Sequence, residues 1–371
     1  MEIFYLIIAV IAIIILTTKL KIHAFLALFI ISILYGIFAG MPYADIIVSI
    51  NEGFGGTLGK IGLIIVLGVI IGAFLENTGG AFAIAEKVLK IIGSKRVPTA
   101  MGIIGYIVSI PVFADSGFML LHPLNKSLSK KAKISIAGPA IALGLGLMAS
   151  HTMVPPTPGP IAAAGILDAD LGLVIAFGFP TSIVALIVGI IFAKKYASKT
   201  YIEPDVEEVL TTEKEIKDSP GALKSSIPIL VPIVLIVLKS VLNPTKTGLD
   251  NGFIDFINFI GEPVISLLIG ILLCLLLPKK LNYDMLSSSG WVGKAIKDAA
   301  SIILITGAGG IFGKILQNSG IADILGQTLT EYNMGIFLPF VLAAAIKTAQ
   351  GSSTVALVTT ASIIMPMMSS L

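Results

Sequence analysis

The sequence predicts an all-α integral membrane protein, with inverted-topology repeats, two re-entrant helical hairpins and broken helices. Three observations carry that prediction. The 371 residues are 56% hydrophobic and only 13% charged, where a soluble domain is about a quarter charged. Residues 61–81 recur, in altered form, at 302–322. Two apolar segments, 97–130 and 334–371, are interrupted at their centres by glycine and polar side chains, the first also by a proline.

Apolar runs near or above the roughly 17–25 residues of a membrane-crossing helix fall at about 3–18, 23–40, 59–75, 134–150, 171–193, 226–242, 258–278 and 299–317. The first follows Met1 and Glu2 directly, without a basic region before it or a small-residue cleavage site after it. It is therefore a retained helix rather than a signal peptide. The 38 glycines suit helices whose backbones approach closely in lipid. A single cysteine, Cys274, excludes an intrachain disulfide. The expected organisation is N-terminal helices over 1–58, a first repeat over 59–193 and a solvated cytoplasmic connector over 194–225. Linking helices follow over 226–298, then a second, incomplete repeat over 299–371.

Basic residues orient the spans, because cytoplasmic loops retain Lys and Arg. With the N-terminus outside, the inside loops near residues 19–21, 76–99, 124–133, 194–225 and 279–298 hold nearly all of them. The outside loops carry only Lys60 and Lys246, while Lys239, Lys314 and Lys347 lie within spans. Segment 97–130 has basic residues on both flanks: Lys95 and Arg96 before it, Lys126, Lys130, Lys131 and Lys133 around its end. A single crossing would place one cluster outside. A hairpin keeps both inside, and its first arm, about 98–110, reaches only roughly 20 Å into a core about 30 Å thick. The tip "PVFADSG" then lies at mid-membrane, where irregular backbone must be buried in protein or line a watery cavity.

"IGLIIVLGVIIGAFLENTGGA" and "IILITGAGGIFGKILQNSGIA" align without a gap, and ten of the 21 positions are identical. The shared positions include Gly68/Gly309, Gly72/Gly313, Asn77/Asn318 and Gly79/Gly320. By the charge rule the first copy ends inside and the second outside. Inverted repeats are the mark of secondary transporters, with sites near the midplane. The second copy leads into its own interrupted segment, with the tip "TAQGSS", which is expected to be the second hairpin. The span 134–150, the loop "SHTMVPPTPGP" and the span 171–193 have no counterpart after it. By its own symmetry the chain is expected to lack about two final helices.

The polar tips carry the candidate chemistry. In the first, Pro111 ends one arm because it cannot donate to the helix ladder, and Asp115 or Ser116 can cap the next arm. That arm's N-terminus offers free N–H groups to an anion, with Ser116 and Gly117 beside it. Asp115 in the membrane is costly and therefore a functional candidate; it can carry a proton, ligate a cation or serve only as a cap. The second tip supplies Gln350, Gly351, Ser352, Ser353 and Thr354. Lys347 just before it can bind an anion, pair with Asp115 or snorkel. His151 is the best candidate for a proton-linked group, with a loop-capping role as its plainer alternative. His23 and His122 are expected at the interfaces. The repeat positions Asn77 and Asn318 are further candidates.

Several classes are excluded or disfavoured. The chain has no Cys/His metal cluster and no phosphate-binding glycine loop after a strand, so no metal, cofactor, ATP hydrolysis or nucleic acid is expected. Ser116 with His151 would make an intramembrane hydrolase only if they met, and that reading leaves the repeat unexplained. The chain is not expected to be an enzyme.

The pieces "LENTGGAFAIAE" with "GSKR", "IPVFADSGFMLLHPL", "SHTMVPPTPGP" and "GSSTVALVTTASIIMP" together resemble the gluconate permease (GntP) family of the ion-transporter superfamily, over nearly the whole chain. The resemblance implies proton-coupled uptake of a small hydroxy or sugar acid across the cytoplasmic (inner) membrane of a prokaryote, by a multi-pass homodimer. It assigns the site to Asp115, Ser116, Gly117, His151, Ser352, Ser353 and Thr354. Gluconate-transporting members commonly carry "FFEVGF" where this chain has "VFADSGF", and "PPHPGP" where it has Thr157. Both differences fall at the expected site. The substrate expected is a small anionic hydroxy acid such as gluconate, another aldonate or glycerate, with H+ as the coupling ion. D-Serine or another small amino acid is the alternative substrate, and Na+ the alternative ion.

Overall fold

A computed structural model of the chain describes residues 2–93, 96–204, 219–242, 252–320, 337–350 and 352–367. Its regular elements are all helical. Five helical segments among the described residues are long and apolar enough to cross a membrane, and a bent pair makes a sixth.

Helices α1 (Glu2–Thr18) and α2 (Ala24–Phe38) fill the first two expected spans. His23 starts α2 by accepting a hydrogen bond from Phe25 N through Nδ1. Helix α3 (Tyr43–Asn77) is far longer than its 59–75 core and begins at Tyr43. Its 35 residues reach about 52 Å. The expected inside loop then holds a helix of its own, α4 (Gly80–Ile92), whose first six residues are buried. The run of charges at Glu86, Lys87 and Lys90 hid this amphipathic helix behind a loop-like composition.

The interrupted segment 97–130 forms α5 (Val97–Val108), a turn, and α6 (Ala114–Lys131). Helix α7 (Ala137–Met153) and the nine-residue α8 (Pro158–Ile166) follow. The expected long proline loop is therefore only residues 154–157. Pro158 is tolerated at the start of α8 because the first helical N–H has no partner to lose. Next come α9 (Leu171–Lys195) and α10 (Ala222–Val241). The 258–278 span is two helices, α11 (Gly252–Ile260) and α12 (Pro263–Cys274), bent by 67° where Gly261, Glu262 and Pro263 intervene. Helix α13 (Trp291–Asn318) carries the second repeat copy, and α14 (Phe337–Gln350) and α15 (Ser353–Ile364) form the second interrupted segment.

The two repeat copies end alike. Helix α3 stops at Asn77 and α13 at Asn318. Thr78 N bonds Phe74 O and Gly79 N bonds Glu76 O; Ser319 N bonds Ile315 O and Gly320 N bonds Gln317 O. Gly79 and Gly320 both adopt positive φ, 70° and 81°, where glycine has no Cβ penalty. The "NxG" signature in the sequence is thus a shared helix cap.

The described chain divides into two units. One contains Met1–Ile65, Pro158–Ala169 and Asp298–Leu371. There α3 and α13 meet backbone to backbone: a Cβ on Gly53 would lie 2.6 Å from Gly310 O, and one on Gly310 would lie 2.4 Å from Gly53 O. The other contains Val66–Thr157 and Asp170–Lys297. There α5 and α7 are equally close, since a Cβ on Gly146 would sit 2.0 Å from Gly102 O. The buried Tyr106 hydroxyl and Ser182 Oγ, 2.7 Å apart, tie α5 to α9.

Candidate functional site

In the second of these units the α5–α6 turn is the centre of interest. Ser109 Oγ donates to Val112 O at 3.0 Å, fixing the end of α5. Pro111 and Val112 are buried. The α3 backbone lies directly under this break, because a Cβ on Gly72 would be 2.3 Å from Pro111 O. One turn earlier, a Cβ on Gly68 would be 2.8 Å from Pro156 O. Two of the shared glycines of the first repeat copy, Gly68 and Gly72, thus seat both irregular stretches, the α5–α6 turn and the break between α7 and α8.

The start of α6 differs from expectation. Its N-cap is Phe113, which offers no side-chain cap, so neither Asp115 nor Ser116 closes the helix. Asp115 and Ser116 are the second and third helical residues instead. Among the described residues the first N–H groups of α6 have no side-chain acceptor. Asp115 is exposed, and among the described residues nothing is hydrogen-bonded to or ion-paired with its carboxylate. Ser116 is half-buried, and Gly117 is buried where a Cβ would press 2.8 Å from Leu147 Cδ2. The small side of α6 therefore packs on α7, while Asp115 stays accessible.

His151 is not in a loop. It sits in the last turn of α7, 8% exposed, with its ring centroid 5.9 Å from that of Phe113. The cap residue of α6 is thus the link that brings His151 to the tip. Thr157 is 4% exposed and donates to Val154 O at 2.7 Å, closing the break between α7 and α8. Asn77 is exposed and donates to Ala73 O within its own helix, away from the tip.

The other unit holds the second tip. Ser352 is the N-cap of α15, its Oγ accepting from Val355 N at 3.3 Å. Ser353 is 9% exposed and its Oγ has no hydrogen-bond partner among the described residues. Thr354 is half-buried. The start of α8 lies against the start of α15, since a Cβ on Gly159 would be 3.6 Å from Thr354 Oγ1 and 2.9 Å from Leu357 Cδ1. Two helix N-termini therefore meet within this unit, and their dipoles favour an anion. The sequence hid this meeting, because "PTPGP" read as loop rather than as the first turn of α8. Lys347 lies in the last turn of α14. Gly351 lies outside the described residues, as does the side chain of Gln350.

Helices that can span a membrane, a span broken at prolines and polar helix starts at two interrupted segments together define a membrane transport protein. The chain belongs to the GntP permease family: the model described as GntP family permease matches residues 1–371. It is 36% identical over 383 residues to an uncharacterized permease of Haemophilus influenzae, covering 98% of this chain and 77% of that one. It is 33% identical to a gluconate permease of Pseudomonas aeruginosa, covering 97% and 81%. With a low-affinity gluconate transporter of Escherichia coli it shares 30% identity over 98% and 82%. These relatives are permeases, not enzymes.

Proposed function

We propose that this permease is a secondary active transporter for proton-coupled uptake of a small hydroxy or sugar acid of the gluconate or glycerate type. The observation that carries the proposal is the open start of α6. Its first N–H groups face no side-chain cap, and Asp115 stands accessible in the same turn. Helix N-termini of this kind hold carboxylates. Ser116 and Gly117 lie in the same turn. Within the other unit, Ser353 and Thr354 at the start of α15 offer hydroxyls of the kind that bind a polyhydroxylated substrate. Asp115 and His151 are the protonatable groups of the site.

The named activities of the Pseudomonas and Escherichia relatives support a sugar-acid substrate. The protein would work in a prokaryotic inner membrane, with its N-terminus outside and as a homodimer. Reconstitution into proteoliposomes tests the reading. Labelled gluconate or glycerate should accumulate when the outside is made acidic, and the accumulation should vanish with a protonophore. Accumulation that needs a sodium gradient removes proton coupling, and competition by D-serine but not by sugar acids removes the substrate class.

A further inference from the structure

In the unit that holds the first part of α3, two more charges lie on membrane-type helices. Lys314 Nζ is 3.2 Å from a Glu52 carboxylate oxygen, with side-chain exposures of 29% and 56%. One turn on, Asn318 Nδ2 donates to Ser49 Oγ at 2.8 Å. Both contacts border the seam where Gly53 meets Gly310.

The internal repeat argues that packing does not require the lysine. Position 314 corresponds to Ala73 in the first copy. Helix α3 reaches the same cap with alanine there, and its Asn77 merely turns back to Ala73 O at 2.7 Å. A cation within an apolar span is expensive unless paired or hydrated, and such residues face a protein interior or a watery cavity. Glu52 offsets that cost for Lys314, but the first copy reaches the same helix end with alanine and no such pair.

The pair also borders open space. Gly55, Gly56 and Gly59 share the Glu52 side of α3 by helical periodicity. All three are exposed, and among the described residues a Cβ on any of them would meet nothing within 4 Å. Lys314 lies one turn from the end of α13, the end that the charge pattern assigns to the outside. Cations are scarce there. Lys60, on α3, is engaged by Asp168 at 2.7 Å, and it holds that carboxyl below its ordinary range.

We propose that Lys314 is a second carboxylate-recognition site, at the outer end of α13, where it exchanges Glu52 for the carboxylate of an incoming small monocarboxylate. The exchange leaves Lys314 paired throughout and returns Glu52, already half-exposed, to water. The proposal rests on the carboxylate-transport reading above.

Initial rates of labelled gluconate and glycerate uptake into proteoliposomes test it, with the elution and melting in detergent of each variant measured beside the parent's. Lys314→Met should raise KM about tenfold or more, the scale of a lost hydrogen bond to a charged group, with the maximal rate little changed. Glu52→Gln should lower KM about two- to fivefold, the worth of an exposed competing ion pair. The double variant should resemble Lys314→Met. A pair that only ties the helices gives the opposite pattern: both single variants lose rate and melting temperature alike, and the double variant recovers them. That pattern, or an unchanged KM in Lys314→Met, overturns the site while leaving transport intact. Should Lys314→Met fail to fold, Lys314→Arg and Glu52→Gln decide the matter, and a raised KM in Glu52→Gln overturns it. No uptake of either acid by the parent protein overturns the transport reading itself, and this site with it.

Discussion

Gly72 and Pro111 meet backbone to backbone: a Cβ built on the glycine would lie 2.3 Å from the proline carbonyl oxygen. The α5–α6 turn is thus seated on α3 with no room for a side chain. Overpacking of this kind costs about 1–3 kcal/mol. Gly72→Ala should lower the melting temperature in detergent and displace the start of α6, with loss of uptake. A Cβ on Gly62, in the same helix, would meet, among the described residues, only Leu58 Cβ at 3.8 Å. Gly62→Ala should be neutral or stabilising, since alanine is about 1 kcal/mol the better helix former. Equal effects at the two glycines would contradict the seating.

Ser352 and Ser353 should separate stability from substrate binding. Ser352 Oγ caps α15, so Ser352→Ala should cost about 0.5–2 kcal/mol, read as a lower melting temperature. Ser353 Oγ is buried without a partner among the described residues. Ser353→Ala should therefore leave the melting temperature unchanged or raise it, while raising KM for the hydroxy acid. An unchanged KM removes Ser353 from the site.

His151 touches the tip through a ring contact with Phe113. His151→Phe keeps an aromatic ring there and removes the protonatable nitrogens. The variant should fold, and the pH dependence of its uptake rate should flatten on the acid side. A profile identical to the parent's would confine His151 to packing.

The sequence made much of this legible where one physical cause dominated. Hydrophobic run length found α2 and α9 within a few residues, and the "NxG" pairs marked two identical helix caps. It failed where two causes competed. The charges of α4 masked a buried apolar face. The prolines of "PPTPGP" break a helix in its interior but begin one at Pro158, so composition gives a loop where α8 stands and places His151 in that loop rather than in the last turn of α7. Asp115 and Ser116 have the composition of N-cap residues, yet the helix after Pro111 begins at Ala114, which makes Phe113 the cap, two residues before Asp115. Glu52 and Lys314 are 262 positions apart in sequence, and no local pattern announces their pairing.

Coupling of substrate movement to protons is the role proposed for Asp115, at the open start of α6. Its most direct measurement compares two modes of transport in proteoliposomes carrying Asp115→Asn. Exchange of internal for external substrate should continue, because the helix start still binds the carboxylate. Accumulation driven by an imposed pH gradient should be lost. Accumulation at the parent's level in Asp115→Asn would contradict the account and leave the aspartate a structural residue of its helix.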